Sequence, residues 1–138
     1  MQNSMNDRFG VNQLAGARTV SISAEDTNAR TISLQAQDRE GQDLYARCAF
    51  EAYLSSDAVG DALEAASAGL TTVAGTDGIV CARSAGNSLG NTTFLCVTEA
   101  DGDLDITITE TSGANTFYLN VILPDGSIWT SEAITFAA

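Results

Sequence analysis

No lysine and no histidine occur in this chain, and six arginines stand against 18 acidic residues, giving a net charge of −12 over 138 residues. Nucleic acid and anionic membrane are therefore poor partners, because phosphate recognition depends on clustered Lys and Arg. Here Arg8, Arg18, Arg30, Arg39, Arg47 and Arg83 are scattered. Without histidine the commonest general base is gone, and without lysine so are the Schiff-base routes. Carboxylate or cysteine chemistry is what remains. The single proline excludes a proline-rich linker. No apolar run approaches the roughly 20 residues of a membrane-spanning helix. The opening MQNSMNDRFG lacks the basic start and apolar stretch of a secretory signal, so the chain is expected to be either cytoplasmic or already processed, and Met1 favours the cytoplasmic origin.

Cysteine is sparse as well. Cys48, Cys81 and Cys96 are an odd number, far apart, with no C-x-x-C spacing and no histidine to complete a mixed metal site. Each is expected within a strand as a buried free thiol. The alternative is a Cys48–Cys96 disulfide, if their strands face each other across the core. The acidic run Asp101-Gly102-Asp103-Leu104-Asp105 begins like a calcium loop of the D-x-D-x-D kind. It fails at the sixth place, where glycine is needed and Ile106 stands, and at the twelfth, where glutamate is needed and Ser112 stands. Asp103 and Asp105 read as solvated outward residues on a strand. Paired glycosidase carboxylates need only converge in space, but such clefts are lined with aromatics and Trp129 is the only tryptophan. No catalytic residue, metal or cofactor is expected. Asn91-Thr92-Thr93 has the form of a glycosylation sequon, which has no role without secretion.

What the chain has in quantity is alternation. Leu104, Ile106 and Ile108 alternate with Asp103, Asp105, Thr107 and Thr109, the period of a strand with one face buried. Phe117, Leu119, Val121 and Leu123 repeat it after the turn Ser112–Asn115. Pro124-Asp125-Gly126 predicts a type I hairpin turn closed by a glycine bulge. In the run Ser127–Phe136 the alternation is imperfect: Ile128, Ile134 and Phe136 share a parity with Thr130 and Glu132, while Trp129 and Ala133 sit on the other, which predicts a bulge near Ser131 or, alternatively, an edge strand covered on both faces. Upstream, strands are expected over Thr19–Ala24, Thr31–Gln37, Leu44–Leu54, Leu70–Ala74, Gly78–Arg83 and Thr92–Val97. A polar loop from Asp38 to Asp43 would close a hairpin between the second and third of these. Glu25–Asn28 and Gly75–Gly78 read as turns, the latter flanked by two strands. Ser55–Gly69 reads as a surface excursion with at most a short helix capped by Asp61.

About nine short strands with turn signals every 8 to 12 residues predict an all-β fold, an immunoglobulin-like antiparallel β-sandwich over 19–138, with a jelly roll or a closed barrel as the alternatives. Residues 1–18 lack periodicity and read as an extended N-terminal arm, with a frayed terminus as the alternative. The spaced apolar residues Phe9, Val11 and Leu14 suit docking on a neighbouring subunit, as strand addition does.

The stretch Ala100–Ala138 resembles the C-terminal end of small structural proteins of tailed bacteriophages and prophages. The matching elements are the acidic turn Asp101–Asp103, the I-T-I-T strand Ile106–Thr109, the TFYL strand Thr116–Leu119, the LPDG turn Leu123–Gly126 and the terminal Ser131–Ala137. The likeness extends loosely to Tyr53–Ala66. It implies a virion component, made in the host cytoplasm. The arm and the acidic, lysine-free domain suit a capsid decoration, or cement, protein on the outer head surface. Its partners would be the major capsid protein and other copies of itself, as a homo-oligomer such as a trimer. Arg8 and Arg18 would pair with shell carboxylates beside Phe9, Val11 and Leu14, and Trp129 would be an exposed anchor unless it is core. The competing expectation is a tail or fibre module that binds a host receptor through loops 55–69 and 84–91.

Overall fold

The structure, a computed structural model, describes residues 16–63, 70–73, 77–82 and 92–137. Its strands are β1 (Gly16–Ile22), β2 (Ala29–Gln37), β3 (Ala49–Ser55), β4 (Leu70–Val73), β5 (Ile79–Ala82), β6 (Thr93–Val97), β7 (Asp103–Glu110), β8 (Asn115–Ile122), β9 (Ile128–Thr130) and β10 (Ile134–Phe136), with no helix among the described residues. A first sheet runs β1-β2-β7-β4 and a second runs β10-β8-β3-β6-β5, with β9 also paired to β8. Every pairing is antiparallel.

This order is that of the immunoglobulin sandwich. β1-β2-β7-β4 corresponds to strands A-B-E-D, and β3, β8 and β9/β10 to C, F and G. The departure is the β5–β6 hairpin, which falls between the fourth and fifth strands of that frame and extends the second sheet past β3.

The alternating residues fill the space between the sheets. Ile32 and Leu34 on β2 lie opposite Ile106 and Leu104 on β7, all buried. Phe50, Ala52 and Leu54 on β3, Phe94 and Cys96 on β6, and Phe117, Leu119 and Val121 on β8 close on them from the second sheet. Phe117 and Phe136 meet edge to face, with ring centroids 6.2 Å apart. Burial at this level is the main favourable term in folding.

Turn chemistry behaves as the residues dictate. Thr27 and Asn28 both have positive φ, 50° and 65°, between the mutual bonds of Asp26 and Ala29. That is the primed hairpin turn whose twist matches its strands. Gly126 N donates to Leu123 O at 2.9 Å, and Gly126 sits at φ 86°. The bulge near Ser131 is present: four residue steps on β8, from Val121 to Phe117, face five from Trp129 to Ile134. Ser131 occupies the extra place, its N donating to Leu119 O and its Oγ accepting from Leu119 N. The slip turns Trp129 inward and leaves Ile128 outside.

Several expectations need correction. β1 starts at Gly16, so Gly16, Ala17 and Arg18 pair with Gln37, Ala36 and Gln35 and are not part of an arm. The run from Leu44 is strand only from Ala49, and of the expected hairpin with β2 only the isolated antiparallel bridge between Gln37 and Asp43 forms, with Leu44 N donating to Ala36 O. Both sides of β2 are taken by β1 and β7, and both sides of β3 by β6 and β8, so residues 38–48 must cross between sheets. β4 and β5 likewise make no hairpin, because β4 pairs with β7 and β5 with β6. The short helix expected after Asp61 falls on residues 64–69, which lie outside the described residues; up to Leu63 the excursion is a loop in which Gly60 N and Asp61 N both donate to Asp57 Oδ1.

Cys48 precedes β3 instead of lying within a strand, and all three thiols are free. β3 and β6 are neighbours in one sheet, with Phe50 opposite Cys96, so these strands do not face each other across the core. Burial, with Cys81 adding to it, pushes the Cys96 thiol up to about 12. Burial raises Cys48 too. In native protein at pH 8, a thiol reagent is expected to modify exposed Cys81 first and Cys48 more slowly. Cys96 should react on the order of 10³-fold slower from its thiolate fraction alone. Peptide mapping after timed quenching measures the order.

Candidate functional site

The outer faces of the two sheets differ. On the first, outward positions are polar: Thr31 lies opposite Thr107, Ser33 opposite Asp105 and Gln35 opposite Asp103. The Asp103 carboxyl sits above its usual range because of burial, then Asp105, Asp101 and Asp77, partly offset by its bond to the backbone of Leu104. A carboxyl with a raised folded pKa opposes folding above that pKa, and this opposition fades as pH falls through the carboxylate range. Asp103→Asn is therefore expected to raise the stability at pH 7, by less than about 1 kcal/mol after solvent screening, with a higher Tm, and to leave both unchanged near pH 3. Thermal melts at the two pH values check it. Among the described residues no cluster of three or more His, Cys, Asp or Glu is placed to hold a metal.

On the second sheet one row crosses five strands: Cys81, Leu95, Glu51, Ile122 and Ile128, each the register partner of the next. Beside it run Ile79, Val97 and Ala49. In a chain of net charge −12, these two rows carry a single charged residue, Glu51. Ile79, Ile122 and Ile128 are exposed. An apolar face of this kind marks a contact surface more often than a bare wall.

The third row, Thr93, Tyr53, Asn120 and Thr130, is covered at its end by the 56–63 loop. Asn120 points outward yet is fully buried, because the loop lies on it. Its Nδ2 donates to Ser55 Oγ at 2.8 Å and to the Tyr53 and Tyr118 carbonyls, and its Oδ1 accepts from Thr130 Oγ1 at 2.7 Å. The Tyr53 hydroxyl donates to Gly60 O at 2.6 Å. Gly60 has φ +79°, and a Cβ there would stand 2.6 Å from Asn120 Oδ1. Only glycine lets the loop come this close. Ser55 Oγ donates to Asp57 O, and Ser56 N to Ala62 O, completing a pinned loop.

Between this loop and the sheet lies an open cleft of about 480 Å³, with Glu51, Tyr53, Thr93 and Ile122 as floor and Gly60, Asp61 and Leu63 as wall. The loop also presents Val59, 67% exposed, and Leu63, 45% exposed. Burial first, then Asp61 and Asp57, raises the Tyr53 phenol above its ordinary value. The arrangement offers apolar surface to bury, with carboxylates beside it, on a support already ordered.

Of the residues singled out in the sequence, Arg8, Phe9, Val11 and Leu14 lie outside the described residues. Arg18 is on β1, at the edge of the first sheet, opposite Gln35. Trp129 is half-buried against the core, on the opposite side of its strand from Ile128, so it is no exposed anchor. Of the suspected receptor loops, 56–63 shapes the cleft, whereas 84–91 lies outside the described residues. Glu51, Tyr53, Leu95, Asn120 and Ile122 were missed. Their signal was apolar residues at both parities of β6 and at the outward end of β8. No protein-family model matches the chain, and no curated protein matches it.

Proposed function

We propose that this chain is an adhesive structural protein of a virion, a decoration protein that binds the outer surface of a phage head and stabilises it through contacts with the major capsid protein and with its own copies. The observation that carries this reading is the outer face of the second sheet, nearly uncharged in a strongly acidic chain. Burying such a face against a shell requires no chemistry from the protein. Repetition over a symmetric lattice multiplies a modest contact by avidity. The resemblance of Ala100–Ala138 to phage structural proteins supplies the setting. The domain transforms no substrate in this reading, and it takes no cofactor.

A second reading, a tail or fibre module that binds a host receptor, is favoured by the cleft under the 56–63 loop. Copy number in purified particles separates the two. On the order of hundreds of copies per particle, with density on the head and earlier head rupture on heating when the gene is deleted, is the expected result. Density confined to the tail supports the second reading, and absence from particles removes both.

A further inference from the structure

We infer that two copies of this chain pair edge to edge through β5, antiparallel about a two-fold axis, to form one continuous sheet with a doubled apolar outer face. This rests on the proposed function, in which copies of the chain touch one another, and names the strand through which they do so. β5 ends the second sheet, and one side of its main chain is left over. Leu54 N donates to Thr92 O and Thr98 N to Cys48 O, so alternation directs the main chains of Phe94 and Cys96 to β3 as well. Those of Leu95 and Val97 then face Cys81 and Ile79 on β5, and the N–H and C=O groups of Val80 and Ala82 point away from the sheet. Among the described residues nothing bonds to them there.

Such an edge is a template for another strand unless charge, proline or a bulge blunts it. Ile79-Val80-Cys81-Ala82 has none of these. The other edges are guarded or badly placed. β1 has an arginine at 18 and a register slip between Thr19 and Ser21. β10 is three residues long and is followed by Ala137, whose N–H is held by Glu25. β4 borders β7, whose outward Asp103 and Asp105 a second copy would approach.

Charge favours a second copy as the occupant of β5. In a chain of net charge −12, copies meeting at most surfaces bring carboxylates together. At this edge the outward side chains are Ile79 and Cys81, both exposed, backed by Val97 and Leu95. The first carboxylate along these rows is Glu51, on β3. Its counterpart in the second copy would stand some five strand spacings away, about 24 Å, beyond the screening length of about 8–10 Å at ordinary ionic strength. With Val80 opposite Val80 of the second copy, Ile79 lies opposite Cys81, and the two-fold contact closes on itself.

The test needs no particle, so it can fail while the virion reading stands, and particle copy number can fail while the dimer stands. The full-length protein is followed from about 10 μM to about 1 mM by sedimentation velocity and by amide hydrogen exchange. A concentration-dependent dimer is expected, in which the Val80 and Ala82 amides exchange about 3-fold or more slowly than in dilute protein. A bis-maleimide with a short spacer should join Cys81 to Cys81 of the second copy. Ile79→Glu, whose monomer should melt as the native protein does, is expected to weaken the dimer at least about 10-fold and to abolish that cross-link. A protein that stays monomeric throughout overturns the inference. So does a dimer whose Val80 and Ala82 amides exchange as fast as in the monomer, or one indifferent to Ile79→Glu. The exchange measurement uses the native chain, so it decides the matter even where Ile79→Glu fails to fold.

Discussion

Phe94→Ala is expected to lower the free energy of unfolding by about 3–5 kcal/mol, a large share of what a domain of this size possesses. Phe94 is fully buried on β6, and its register partners on either side are Ala52 and Ala82. The phenyl ring fills volume beside Ala52, which carries only a methyl group, so this neighbour has little side chain with which to collapse into the hole. Urea denaturation should show the loss as a lower midpoint with an unchanged slope. A loss under about 1 kcal/mol would mean that the ring does not close this end of the core.

Gly102→Ala is expected to cost on the order of 3 kcal/mol or more. Gly102 sits at φ +83° in the turn before β7, where its N donates to Glu99 O and its own carbonyl accepts from Ala36 N. A Cβ there would run into the carbonyl oxygen of Leu44, a backbone atom that cannot swing aside, with Gln35 Nε2 at 2.8 Å. Leu44 is itself held by its N–H on Ala36 O, so the crossover from β2 to β3 would have to shift as a unit. Gly126 is the internal control: at φ +86° it has the same backbone need but nothing within 4 Å of a Cβ. Gly126→Ala should therefore cost only the left-handed conformation, about 1 kcal/mol. Comparing the two melting temperatures isolates the collision from the dihedral. Equal losses would show that the close approach to Leu44 is unimportant.

What could be read from the sequence was local. The period of β7 and β8 gave their buried apolar residues correctly, Pro124-Asp125-Gly126 marked its turn, and the parity conflict of Trp129 with Ile134 and Phe136 marked the bulge at Ser131. Pairing was not local, and there the expected hairpin of Thr31–Gln37 with Leu44–Leu54 failed. Thr31–Gln37 followed by a polar loop, and Leu70–Ala74 followed by Gly75–Gly78, both look like hairpins over a short window. What prevents them is competition from distant strands, β7 for β2 and β4, and β6 for β3 and β5, which no window of adjacent residues contains.

The candidate site was hidden for a related reason. Leu95 and Val97 alternate with Phe94 and Cys96, and apolar residues at both parities suggest a strand buried on both faces. Here the outer face stays open and keeps its apolar side chains. Trp129 drew notice by its size, yet a one-residue slip turned it inward and left Ile128 on the surface. Asn120 would pass as an ordinary outward residue on β8. Only the covering loop makes it a buried hub.

The placement of Gly16 and Ala137, the first and last described residues, bears on how the domain would carry load. Gly16 lies opposite Gln37 at the open end of the β1–β2 hairpin, while Ala137 is tied by its N–H to Glu25 beside the turn at the other end. Tension applied between these points runs lengthwise along β1, across which its ladder bonds to β2 lie roughly perpendicular. Those bonds must then slide together in shear and cannot peel apart one at a time, so the molecule is strongest along its own strands.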